Sequence, residues 1–269
     1  MNLVRLENRL LVSAATIGVP VYDFDFALYF TCTHPYEPNP GERCVLRTGQ
    51  IQDYEKTYND YASNNLRLVN TPADYKMASE LEAWYPLISD MTPRTHLFDQ
   101  LPTAEQIEAE FEWPIFLKGS RQTNRHIAEL SVVQNREQYE RVADAYRAHP
   151  ILNWQKPAVR EFVPLMPVEG EIPGVIKPSV EYRSFWWFGR CVGCGRYWHM
   201  APAYDCRDLQ AGLDLAREAA ARVNVPFLVV DFAKTLGADW IVIECNDAQE
   251  SGYAAMPPQL LWRNILDLM

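Results

Sequence analysis

Residues 229–252 read VVDFAKTLGADWIVIECNDAQESG, two apolar runs that each carry an acidic residue. VVDFA and WIVIECN are rich in β-branched and aromatic residues, and TLGAD between them holds Gly237 and Ala238, so the stretch reads as a β-hairpin turning there. A turn at that point sets Asp231 opposite Glu244. Because side chains alternate along a strand, Glu244 and Asn246 share a face, and Asp231 projects to it from the partner strand. Two carboxylates at facing positions repel unless positive charge lies between them, and hard oxygen donors of this kind suit Mg²⁺ shared with substrate phosphates. The competing reading is a hairpin end with its carboxylates in water, against which stand the strongly apolar flanks.

Working outward, the 269 residues suffice for a large core divided into more than one domain. Acidic residues outnumber basic ones 35 to 25, a net charge of -10, which argues against a surface that tracks nucleic-acid backbone. The first residues, MNLVRLENRLLVSAATIGV, lack the apolar core and cleavage site of a signal peptide. No run approaches the roughly 20 apolar residues that span a bilayer. The expectation is a cytoplasmic protein without membrane or nucleic-acid partners; the sequence is silent on oligomeric state. Cys32, Cys44, Cys191, Cys194, Cys206 and Cys245 are scattered and expected free. Cys191 and Cys194 form a C-x-x-C, but a separation of three along a strand is expected to send the two thiols to opposite faces. The five histidines show no metal-binding spacing.

Upstream, residues 1–92 mix strand-like runs with turn clusters and read as a small α/β domain. VNTPADY (69–75) is expected to turn before a helix, ASELEAWYPLI, and Pro93 to begin a linker. PTAEQIEAEF reads as a short helix capped by Thr103. WPIFLK is a strand ending in Lys118, followed by GSRQTNR, a loop with a glycine, hydroxyls and two arginines that suits phosphate oxygens, against the competing reading of a solvated hairpin tip. No G-x-x-x-x-G-K-[ST] occurs, so it is not a Walker A loop. A capped amphipathic helix follows from Asn135, then a strand, AVREFVPL. Residues 166–180 form a Pro- and Gly-rich loop, and EYRSFWWFGRCVGCGRYWHM a hairpin about Gly189 with Glu181 and Arg183 on one face. A helix capped by Asp208 feeds the opening hairpin, and QLLWRNILDLM closes the chain.

The order of these parts, a strand ending FLK, a glycine-containing loop, a helix, REFVPL, a strand beginning E-Y-R, a helix and D-x12-E-x-N, resembles the ATP-grasp superfamily over about residues 93–255. With DAQESG following, it is most similar to a clade marked by an arginine and two lysines, met in bacteria and phages. The resemblance implies an α+β fold in which an N-lobe (93–164) and a C-lobe (165–269) clasp ATP, preceded by the domain of residues 1–92. It further implies that Asp231, Glu244 and Asn246 hold one or two Mg²⁺ ions and that Lys118 contacts the α and β phosphates, with the loop from Gly119 to Arg125, including Arg121, closing over them. Glu161, Phe162 and Val163 would read the adenine edge at the interlobe hinge, and Glu181 would bind ribose. Arg183 and Arg196 are candidates for the triphosphate or a developing acyl phosphate. The family's earlier lysine has no sure equivalent: Lys76 is placed for it but reads better as a surface lysine, and Arg47 is a candidate for the acceptor side.

Members of this superfamily use ATP to phosphorylate a carboxylate, which an amine or thiol then attacks. Such chemistry asks for cations around the transferring group and exclusion of water rather than a protein nucleophile. The expected function is an ATP- and Mg²⁺-dependent carboxylate–amine (or thiol) ligase acting on small-molecule or peptide substrates. Alternatives are direct phosphotransfer at the same site and a non-catalytic nucleotide-binding module. Asp247, Gln249 and Ser251, just past the metal ligands, are where the substrate is expected.

Overall fold

The computed structural model describes residues 2–14, 23–35, 37–49, 51–121 and 127–269. Among these residues the strands form three sheets. The first comprises β1 (Leu3–Leu6), β2 (Leu10–Ala14), β3 (Cys32–Thr33), β4 (Glu42–Arg47) and β5 (Leu66–Leu68), in the order β3-β1-β2-β4-β5. β4 runs parallel to both β2 and β5, with helix α1 (Tyr54–Ala62) as the crossover to β5. Two further helices follow, α2 (Pro72–Ser79) and α3 (Leu81–Ile88). The segment expected to turn instead starts α2. The Thr71 hydroxyl accepts from the Asp74 N–H while the Asp74 carboxylate accepts from the Thr71 N–H, and Pro72 occupies the position where a missing N–H costs no helical bond. Extended backbone at Glu80 then separates α2 from α3, so the anticipated single helix is two.

The second sheet comprises β6 (Thr95–Leu97), β7 (Ile115–Gly119), β8 (Val132–Val133) and β9 (Pro157–Glu161), in the order β6-β9-β7-β8. Helices α4 (Ala104–Glu108), α5 (Ala128–Ser131) and α6 (Arg136–Ala148) accompany it. Ile107, Ile115, Leu117, Val159 and Tyr146 share its core. Thr103 and Asn135 cap α4 and α6 as their sequences require.

The third sheet is antiparallel: β10 (Glu181–Trp187), β11 (Arg190–Arg196), β12 (Phe227–Lys234) and β13 (Trp240–Asp247), in the order β11-β10-β12-β13. The β10–β11 turn takes two left-handed residues, Phe188 (φ 45°) and Gly189 (φ 76°), the requirement of a two-residue hairpin loop. One face of this sheet packs through Trp186, Leu228, Val230 and Phe232 onto α7 (Leu209–Val223) and α3. On the other face Phe185, Trp187, Phe227 and Val229 join Leu6, Leu10 and Val12 of the first sheet and Trp262 of α8 (Pro258–Asp267) in one core. The first and third sheets therefore share a continuous apolar interior.

A β-bulge overturns one expectation. Ser184 faces Cys194 and Trp186 faces Cys191, with Val192 as the extra residue, so the two thiols project to the same side of the sheet rather than to opposite sides. Both are free. No helix among the described residues is long and apolar enough to cross a membrane.

A buried polar network ties the first sheet to the end of β13. The Asn70 amide donates to the Phe227 carbonyl (2.8 Å) and the Asp247 carboxylate (2.7 Å) and accepts from the Phe227 N–H (2.9 Å). Gln249 accepts from the Leu46 N–H and donates to the Tyr54 hydroxyl, and the Ser251 hydroxyl donates to the Asp247 carbonyl. Asp247, Gln249 and Ser251 are all buried. Their side chains hold the two sheets together, which corrects the expectation that they face substrate. Arg47, the acceptor-side candidate, is buried in the same network, donating from one nitrogen to the carbonyls of Ala248 and Ser251. Glu250 accepts from the Ile51 N–H and the Tyr75 hydroxyl, beneath the stacked rings of Tyr54 and Tyr75.

Replacing Asn70 with Ala strips partners from two buried backbone groups and a buried carboxylate. It should destabilise the chain by about 3 kcal/mol in urea unfolding. The network also sets a pH dependence: burial pushes the carboxyl of Glu250 up to about 8 and that of Asp247 up to about 6. Each then holds its proton when folded at pH values where the unfolded chain has released it, so the stability present below the unfolded value is lost progressively as pH rises to and through the folded value. Stability should fall between about pH 5 and pH 8, by at most about 1.4 kcal/mol per pH unit per proton. Glu250→Gln should flatten this slope in urea unfolding repeated across that range, and an unchanged slope would remove Glu250 as its source.

Candidate active site

The register of β10, β12 and β13 lays Arg183, Asp231 and Glu244 side by side across three strands. Arg183 grips both Asp231 oxygens, at 2.8 and 2.7 Å, and donates to the Gly252 carbonyl at 3.1 Å. The next strand helps to hold this geometry. A Cβ on Gly195, the neighbour of Arg183 on β11, would lie 2.4 Å from the Met256 nitrogen, so only glycine lets the segment after Ser251 lie against the sheet. Glu244, the last of the row, is paired with Lys118, which arrives from β7 of the second sheet.

This pairing bridges a cleft of about 390 Å³ between the second and third sheets. Its floor is Phe116 and Lys118 of β7 with Arg160 of β9; the hinge residues Glu161, Phe162 and Val163 form one side. Glu181, Ile241, Ile243 and Glu244 stand opposite, and part of the 166–180 loop, from Ile176 to Ser179, closes the rim. Lys118, Glu181 and Asp231 are almost fully buried. Removing so many charges from water is costly unless each has a counter-charge, and at the two ends of the row Arg183 answers Asp231 and Lys118 answers Glu244.

The titration behaviour follows from burial. Burial pushes the Lys118 ammonium down, and the Glu244 carboxylate opposes that shift. The Asp231 carboxyl is pushed up by burial and, to a lesser degree, by Glu244, while Arg183 works against both. Glu181 rises to about 8, through burial first and the Asp231 charge second, although the Trp198 indole donates to it at 3.0 Å. A buried carboxyl moved that far in a cleft marks a candidate functional group.

Of the residues singled out from sequence, Lys118, Glu161, Phe162, Val163, Glu181 and Glu244 line the cleft. Asp231 and Arg183 adjoin it through the cross-strand row, and Asn246 lies two residues beyond Glu244 on β13, opposite Val229. Arg196 and Arg121 do not line it. The Arg196 guanidinium lies 5.8 Å over the Tyr204 ring. Arg121 lies over Tyr75 and Trp154, donates to the Tyr75 hydroxyl at 2.5 Å, and its backbone N–H is held by Gln155. Residues 122–125 of the proposed phosphate loop lie outside the described residues. Lys76 is exposed beside Glu80.

Sequence reasoning missed Arg160, Phe116, Lys177, Ile241 and Ile243, all on the cleft wall. Arg160 left a trace, a cation inside the otherwise apolar run of β9. Lys177, in the Pro- and Gly-rich loop, left none, because such a segment has no period from which a facing side can be read.

The donor set tests well against a magnesium ion. Asp231, Glu244 and Asn246 offer hard oxygens, and the Glu244 charge raises the affinity of Asp231 for its proton, a repulsion that a further cation would relieve. No three His, Cys, Asp or Glu side chains are grouped for a metal among the described residues.

A family profile, described as an ATP-grasp domain of family 3 in the clade marked by an arginine and two lysines, matches residues 53–265. A search of curated protein sequences finds no match. Among solved structures, D-cycloserine synthetase DcsG superposes with a TM-score of 0.57 at 12% identity, over 84% of this chain and 84% of that one. A RimK domain ATP-grasp protein from Sphaerobacter thermophilus gives 0.54 at 15% identity, over 81% and 77%. D-alanine–D-alanine ligase from Bacillus anthracis gives 0.55 at 11%, over 84% and 77%. At these identities the likeness shows the fold, mixed α/β with three sheets. The profile match, spanning most of the sequence, shows that the chain belongs to the ATP-grasp family, in family 3 of that arginine-and-two-lysine clade.

Proposed function

We propose that the chain is an ATP- and Mg²⁺-dependent carboxylate–amine (or thiol) ligase. The observation that carries this reading is the meeting of Lys118 and Glu244 across the cleft, with Asp231 and Arg183 behind them and the hinge residues beside them. Each partner of that pair is a stand-in for what a nucleotide brings: the ammonium can exchange Glu244 for phosphate oxygens, and the carboxylate can exchange Lys118 for a metal ion. Similar solved structures include a D-alanine–D-alanine ligase and a D-cycloserine synthetase, which supports an amide-forming outcome.

In this reading Lys118 binds the α and β phosphates, Glu161, Phe162 and Val163 face the adenine edge, and Glu181 faces the ribose. The apolar wall of Phe116, Ile241 and Ile243 excludes water from the base. Asp231, Glu244 and Asn246 would hold one or two Mg²⁺ ions, which would supply charge neutralisation at the transferring phosphoryl group. Arg183 keeps Asp231 oriented and works against the rise that burial imposes on its carboxyl, and Arg196 and Arg121, each now resting on aromatic rings, are cations available to the phosphates or the acyl phosphate. A substrate carboxylate oxygen attacks the γ phosphorus as ADP leaves; an amine (or thiol) then attacks the acyl carbon as inorganic phosphate leaves. The enclosed cleft protects that intermediate from hydrolysis.

Incubation with ATP, Mg²⁺ and pooled amino acids should release ADP together with an amide product. A phosphorylated acceptor without amide would instead make the chain a phosphotransferase. Glu244→Gln should lower ATP turnover at least about 10²-fold, with the folded state verified by circular dichroism, and undiminished turnover would sink the site assignment. Chelation with EDTA should abolish turnover and added Mg²⁺ restore it.

A further inference from the structure

Arg160 has no role in the reading above, yet it lines the cleft and is buried, 4% exposed. Its Nε donates to the Thr95 hydroxyl at 3.0 Å and one terminal nitrogen to the Ile243 carbonyl at 2.7 Å. The other terminal nitrogen is buried and has no hydrogen-bond partner among the described residues. A guanidinium is always charged and all its N–H groups need acceptors, so burying one with an unused nitrogen is costly unless a ligand supplies the acceptor.

The Ile243 contact shows why the residue stands there. Asp231 faces Glu244 and Phe232 faces Val242, which makes Ile243 the extra residue of a β-bulge. A bulged residue is left out of the regular ladder, and this one gives its carbonyl to Arg160. The bulge and the Thr95 contact anchor the guanidinium from both sheets at once. On β9 Arg160 shares a face with Ala158, which pairs with Lys118, so the guanidinium and the Lys118 ammonium lie side by side on the floor beside Glu244. The charges of Arg160 and Glu244 favour one another, and those of Arg160 and Lys118 oppose one another.

We propose that Arg160 is a phosphate-binding residue of the cleft and the clasp between its two sheets: one terminal nitrogen fixes the Ile243 bulge, and the unused nitrogen donates to a phosphate oxygen of the nucleotide. The proposal rests on the nucleotide reading above. Two positive groups adjoin on the floor and both draw on the charge of Glu244, and an anion bound there satisfies both. When Lys118 turns from Glu244 to phosphate, Arg160 remains beside Glu244 as a fixed positive charge.

Calorimetric titration of wild type, Arg160→Met and Arg160→Lys with ADP and, separately, with adenosine tests this. Arg160→Met should bind ADP about tenfold more weakly or worse, the value of a charge-assisted hydrogen bond, and adenosine within about twofold of wild type. Arg160→Lys, which keeps the charge but not the fork, should recover part of the ADP affinity and none of the adenosine contrast. If Arg160→Met does not fold, judged by thermal unfolding without ligand, Arg160→Lys carries the comparison: a selective loss for ADP supports the proposal. Equal losses for ADP and adenosine, or no loss for either, overturn it and assign the nitrogen to the base or to structure alone. A wild type that binds neither ligand overturns the nucleotide reading itself, and this inference with it.

Discussion

The row Arg183–Asp231–Glu244, extended to Lys118 from the second sheet, is the constraint on which the rest of the molecule depends. Carboxylates at facing positions of a hairpin repel, and burial enlarges the repulsion by removing water. The chain answers with a forked guanidinium on one side and an ammonium on the other. Because removing one member of a buried pair leaves an uncompensated charge costing about 3–5 kcal/mol, the row also dictates how closely the second and third sheets stand.

The remaining architecture holds that row in place. The core shared by the first and third sheets fixes the back of β12, and Asn70 locks the start of β12 to the end of β13. Thus the N-terminal sheet is part of the site's foundation, although none of its residues lines the cleft. Asp247, Gln249 and Ser251 illustrate the point. Their polarity and their place just beyond Asn246 suggest a substrate surface, but polar side chains at a sheet junction serve equally well as buried hydrogen-bonding partners, and only the position of the neighbouring sheet separates the two.

The two bulges show how one inserted residue redirects chemistry. The extra Val192 brings Cys191 and Cys194 to one side of the sheet, against strict alternation. The extra Ile243 keeps Glu244 opposite Asp231 and frees a carbonyl for Arg160. Period-two reasoning counts residues and assumes an unbroken ladder, so it fails for Cys191 and Cys194, and it reaches the Asp231–Glu244 pair only because the extra Ile243, between the turn and that pair, offsets a ladder that starts at Lys234 and Trp240.

By itself the sequence determined what local rules govern: the hairpins about Gly189 and Ala238, the capped helices at Thr103 and Asn135, and the order of parts that resembles ATP-grasp proteins. These follow from alternation, turn chemistry and capping, each confined to a few neighbouring residues. The tertiary structure alone decided which distant groups meet. Lys118 reaches Glu244 across 126 positions and Asn70 reaches Phe227 across 157. Arg160 acquires its place from Thr95 on one sheet and Ile243 on another. Such contacts are set by how sheets pack, and packing depends on the summed burial of many apolar side chains rather than on any motif at the residues that finally touch.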